Sequence, residues 1–126
     1  MMLTTISLLL SAIVVMGAAP PAGWPQFGGP DRNFTVGAAG LAEGWPATGP
    51  KELWRRDLGE GFSPVAADGG RLFTMYQRGE QEVVVALDAA TGRTLWEHAS
   101  HAPITANMSR APGPRSTPLV TAGAVF

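Results

Sequence analysis

His98 and His101 stand in H-x-x-H spacing near the end of a stretch read below as a strand. Two imidazoles three residues apart hold zinc only when a further ligand joins them, and the helical H-E-x-x-H pattern is absent. A metal is selected by more than one such pair, so the two histidines read as solvated side chains. Cysteine is absent, which excludes disulfides, thiolate nucleophiles, Cys-ligated zinc, haem attachment and a lipidated Cys anchor. Asp88, within "ALDAATGRTLWE" (86–97), closes a valine-rich stretch just before Thr91-Gly92. There its carboxylate is placed to accept backbone N–H groups of a turn, and a carboxylate engaged in that way is a poor general base. No catalytic residue and no metal ligand is assigned.

Three weaker patterns bear on binding. "LGEGFS" (58–63) lacks the third glycine of a dinucleotide fingerprint, and no helical pattern comes after it. Asn33-Phe34-Thr35 and Asn107-Met108-Ser109 match the glycosylation acceptor pattern, a short match that arises often by chance. Arg110 and Arg115 flank "APGP" in a loop expected to run from His98 to Ser116. Loops carried by a rigid scaffold often bind ligands, so this is the ligand-facing candidate. The plainer reading is a solvated loop whose charges are exposed, as charges usually are.

The elements that must position these residues are short strands. Gly and Pro number 16 and 11 in 126 residues and show no collagen-like period, which suits a turn-rich all-β chain. Beyond the first twenty residues no sustained i, i+3, i+4, i+7 apolar spacing is present. Candidate strands cover Glu52–Asp57, Ser63–Ala67, Arg71–Gln77, Glu82–Asp88 and Thr94–His98. Turns fall at Asp68–Gly70, Arg78–Glu80 and Thr91-Gly92, where glycine supplies positive φ. The net charge is −1, and eight arginines and Lys51 are scattered, so nothing favours nucleic acid or an acidic membrane surface.

Residues 1–22 are uncharged, with an apolar run at Leu3–Met16 and small residues at Gly17, Ala18 and Ala19. They resemble a secretory signal peptide, with a helix expected at Leu3–Met16 and the mature chain expected in the periplasm or outside the cell. No Lys or Arg precedes the run, and Pro20-Pro21 obstruct cleavage after Ala19. An uncleaved anchor is therefore the rival, since the run approaches the ~20 residues of a membrane span. A misassigned start and a buried strand are the remaining alternatives. Residues 23–51 read as an irregular lead-in, and residues 52–126 as strands and turns.

Part of this pattern repeats. "SPVAADGGRLF" (63–73) returns as "TPLVTAGAVF" (117–126), and "ELWRRDLG" (52–59) parallels "TLWEHAS" (94–100). Trp96 comes 42 residues after Trp54, within the roughly 40–50-residue period of four-stranded propeller blades. Ala86-x-Asp88-x-x-Thr91-Gly92-x-x-x-Trp96 resembles the tryptophan-docking repeat of the pyrroloquinoline-quinone (PQQ)-type β-propellers. That group includes quinoprotein alcohol dehydrogenases, BamB-type outer-membrane assembly propellers and exported repeat proteins without known activity. "GWPQFGGPDRN" (23–33) is similar to a lead-in of the last group, with Gly28 where Arg is usual, and "GPRSTPLV" (113–120) looks like the opening of their second blade.

The resemblance spans 23–126. It implies an all-β, PQQ-like propeller of which about one and a half four-stranded blades are present, as in a truncated reading frame. It also implies that Ala86, Asp88, Thr91, Gly92 and Trp96 dock blades, with Trp96 wedged between neighbours. Activity does not follow from the fold. The expected role is a non-catalytic binding or scaffolding module, BamB-like, with a protein or small-molecule ligand at a propeller face. The membrane is met only through an uncleaved anchor. The alternative is a PQQ-dependent alcohol dehydrogenase whose PQQ and calcium lie in further blades, since no cluster of calcium ligands is identifiable here.

Overall fold

The computed structural model describes residues 23–35, 37, 42–103 and 112–126. The expected helix at Leu3–Met16, Asn107-Met108-Ser109 and Arg110 lie outside the described residues. Four strands, β1 (Ala66–Asp68), β2 (Arg71–Arg78), β3 (Gln81–Asp88) and β4 (Thr94–His101), form one antiparallel sheet in chain order. β5 (Val120–Thr121) and β6 (Ala124–Val125) form a second, two-stranded sheet. No helix occurs among the described residues. The chain is all-β and has the form of partial PQQ-like propeller blades.

Register follows from the tight turns. β2 and β3 pair without interruption from Arg71↔Asp88 to Arg78↔Gln81 across the Gly79-Glu80 turn. Between β3 and β4 the pairing steps from Ala86↔Trp96 to Leu87↔Thr94, which leaves Leu95 as an extra residue. Such a bulge bends the outer strand and raises its local twist.

Both faces of β3 are apolar, and both are covered. On one face Val83, Val85 and Leu87 pack with Tyr76 against Trp54, Leu58 and Leu72. On the other, Ala86 and Phe73 pack with Ala66 and Val120, with Val125 against them. The sheet is thus sandwiched between the segment before it and the hairpin after it. Burial of both faces explains the run of consecutive apolar residues at 83–87.

Two expected elements differ. Ser63–Ala67 forms a strand only from Ala66, and Glu52–Asp57 forms none. Residues 52–57 lie against the sheet face instead of along a partner strand. After residue 52 the segment makes its first backbone bridge to the sheet at Glu60↔Gln77. β4 runs on to His101, so His98 and His101 belong to an exposed edge strand and not to a loop.

Candidate functional site

The turn between β3 and β4 is built by one side chain. Asp88 Oδ1 accepts the Ala90 N–H at 3.1 Å, the Thr91 N–H at 2.8 Å and the Thr91 hydroxyl at 2.7 Å. Those bonds, the Thr91 hydroxyl foremost, hold the Asp88 carboxyl below the usual carboxylate range. The backbone closes on itself, with Asp88 N–H donating to Arg93 O at 2.8 Å and Gly92 N–H donating to Asp88 O at 2.8 Å. Gly92 takes φ 69°, the left-handed region that glycine occupies at little cost.

Trp54 seats on this turn. Its indole Nε1–H donates to Ala89 O at 3.0 Å. Its ring lies so close over Gly92 that a Cβ there would stand 2.5 Å from a ring carbon. Arg56 adds bonds to Gly92 O at 3.3 Å and to the Thr94 hydroxyl at 3.1 Å. A large aromatic with a polar tip suits the place, since the ring is half-buried and the N–H still finds an acceptor. In the sequence Trp54 stands out only as the counterpart of Trp96, 42 residues on. Its partner lies 35 residues away, and no local spacing reports such a contact.

Trp96 stands elsewhere. It lies on the edge strand β4 opposite Ala86, its ring centroid 6.1 Å from that of Phe73, and it is 38% exposed. Ala86 is fully buried beneath it. The structure therefore joins Asp88, Thr91 and Gly92 in one turn with Trp54, and places Ala86 and Trp96 together on the opposite face.

A polar cluster borders the same sheet face as Trp54. The Tyr76 hydroxyl donates to Glu97 Oε1 at 2.9 Å. Arg78 Nη1 donates to Glu97 Oε2 at 3.0 Å and to the Tyr76 hydroxyl at 3.2 Å. These donors, Tyr76 first, lower the Glu97 carboxyl, while burial chiefly raises the Tyr76 phenol. Each group satisfies another, which is the signature of a closed structural network more than of an acid–base pair awaiting substrate. His98 and His101 project from opposite faces of β4, as the alternation of a strand requires. Among the described residues no group of three His, Cys, Asp or Glu could hold a metal ion. Arg115 lies over the Phe62 ring at 5.4 Å.

A model of the family described as outer membrane protein assembly factor BamB matches residues 31–126. No curated protein and no solved structure is found to match the chain.

Proposed function

Because the chain belongs to the outer membrane protein assembly factor BamB family, we propose that it is an exported, non-catalytic binding or scaffolding propeller. The observation that carries this reading is the seat of Trp54 on the Asp88–Gly92 turn. There the most distinctive residues of the repeat hold one segment onto the next, and their polar atoms are engaged in doing so. Trp96 occupies the equivalent position one repeat later, and in this reading it seats on the corresponding turn of a further blade. A ring of such blades offers its faces to a protein or small-molecule ligand, with residues 1–22 as the export signal or anchor. Among the described residues no helix is long and apolar enough to cross a membrane.

Two measurements test the reading. The protein with any further blades included, and with calcium present, is titrated with PQQ and assayed for dye-linked alcohol oxidation; neither saturable PQQ binding nor PQQ-dependent turnover is expected. Either one would replace scaffolding with quinoprotein chemistry. N-terminal sequencing from an exporting bacterial host is expected to place the mature start between Ala19 and Gly23. Intact Met1 in the membrane fraction would assign an anchor, and intact Met1 in the cytoplasm would overturn export.

A further inference from the structure

The lead-in folds as a tight loop against the second hairpin. Gly29 N–H donates to Gln26 O at 3.0 Å, Arg32 N–H to Gly29 O at 3.2 Å and Phe34 N–H to Gly28 O at 2.9 Å. Arg32 (φ 55°) and Phe34 (φ 60°) take the left-handed conformation that residues with a Cβ adopt rarely. Such strain persists where neighbouring contacts over-determine it, and it gathers at ligand sites. The determining contact here is Gln26. Its amide Nε2–H donates to Pro30 O at 3.1 Å and its Oε1 accepts Arg32 Nε–H at 2.9 Å. The guanidinium is held by Nε, and among the described residues neither terminal nitrogen meets an acceptor.

Arg32, Gln26 and Phe27 line a cleft of about 260 Å³, whose other wall is Thr117 and Leu119. The two walls lie far apart in sequence, and Val120 N–H donating to Pro25 O at 2.8 Å ties them together. The cleft is therefore formed before any ligand arrives. Phe27 is 63% exposed and meets Phe34 edge-on at 5.2 Å. An apolar wall with a few convergent polar groups is the composition of a small-ligand site.

We propose that this cleft binds an organic carboxylate bearing one large apolar group. The carboxylate pairs with the terminal nitrogens of Arg32, and the apolar group lies on Phe27 and Leu119. A guanidinium fork matches two carboxylate oxygens, and holding it in place beforehand lowers the ordering cost of binding. The single cation in the lining suits a monoanion better than a polyanion. The last residue of a peptide and a free aryl acid share this chemistry. The site is separate from the Asp88–Gly92 turn and stands apart from the scaffolding reading, which survives its failure.

The test is an NMR titration of the chain with N-acetylphenylalanine, with its C-terminal amide and with 3-phenylpropionate, monitored at the amides of Thr117, Leu119 and Val120. Saturable shifts are expected with the two acids, and binding at least about tenfold weaker with the amide, the loss of one charge-assisted pair. Arg32→Gln should remove the advantage of acid over amide, Arg32→Lys should keep part of it, and Arg93→Gln, remote from the cleft, should leave it intact. Phe27→Ala should weaken acid and amide alike. Tighter binding of N-acetylphenylalanine assigns a chain terminus as the ligand, and tighter binding of 3-phenylpropionate assigns a free acid. Absence of saturation, equal binding of acid and amide, or an acid preference that survives Arg32→Gln overturns the proposal. Spectra of the variants that match wild type outside 26–34 separate a lost contact from a lost fold.

Discussion

Asp88 concentrates three hydrogen bonds on one oxygen, which gives it a pH signature. Its folded-state pKa is depressed, chiefly by the Thr91 hydroxyl. Its contribution to stability is therefore present above the unfolded value of about 3.9 and is lost as pH falls through the lower folded value. Denaturant melts at a series of pH values should show wild type losing stability below about pH 4, and Asp88→Asn losing less over the same interval. Glu97 is depressed as well, so part of the acid limb should remain in that variant. An unchanged acid limb would place the titration elsewhere. Gly92 carries a second prediction at this scale. Gly92→Val places a β-branched residue at φ 69° and drives its Cβ into the Trp54 ring, so it should cost several kcal/mol in the same melts, beyond an ordinary surface change. Asp-x-x-Thr-Gly was legible in the sequence because the bonds it makes are two and three residues long. The ring it carries was not, because Trp54 comes from across the fold.

Among the elements, β2, β3 and β4 were legible to within about three residues, since alternation and glycine turns bound them. The strand expected at Glu52–Asp57 rests on the turn signals that bound it, yet a strand exists only where a ladder partner does. β4 has β3 beside it; residues 52–57 have only side-chain contacts such as Trp54 and Arg56. Hydrogen exchange should track that difference. Amides of β3, central and bonded on both sides, are expected to exchange slowest, and those of 52–57 much faster despite the buried neighbours of Trp54. Equal protection would mean that 52–57 is paired in solution. The histidines belong to this scale too, as exposed residues of the β4 edge. His98→Ala and His101→Ala should each shift stability by less than about 0.5 kcal/mol, the usual range for surface changes. A larger loss from either would make it a structural or ligating residue.

At the scale of the whole molecule, one sheet is clamped between the chain segments on its two sides. The upstream clamp is Trp54 and Leu58 on the Tyr76–Val83–Val85–Leu87 face. The downstream clamp is the β5–β6 hairpin on the Phe73–Ala86 face, with Val120 at its centre. Gly113 marks how closely the backbone passes between them, since a Cβ there would strike Glu60 O and the neighbouring Gly61. The two tryptophans of the repeat are thus chemically equivalent and structurally unequal in this chain. Trp54 has its turn, with a bonded N–H and a glycine beneath the ring, whereas Trp96 keeps more than a third of its surface in solvent. Trp54→Ala should leave a cavity over the Asp88–Gly92 turn and free the Ala89 carbonyl of its indole partner, at a cost of about 2–4 kcal/mol. Trp96→Ala should cost about 1–2 kcal/mol, because only part of its area is withdrawn from water. Their order should reverse nowhere in this chain, and urea melts of the two variants with unchanged slopes would establish it. A further blade that covers Trp96 would raise its cost towards that of Trp54 and leave the Trp54 value where it is. If Trp96→Ala proves the costlier of the two in this chain, the seat of Trp54 is not what holds the upstream segment to the sheet, and the docking role passes to Trp96 and its contact with Phe73.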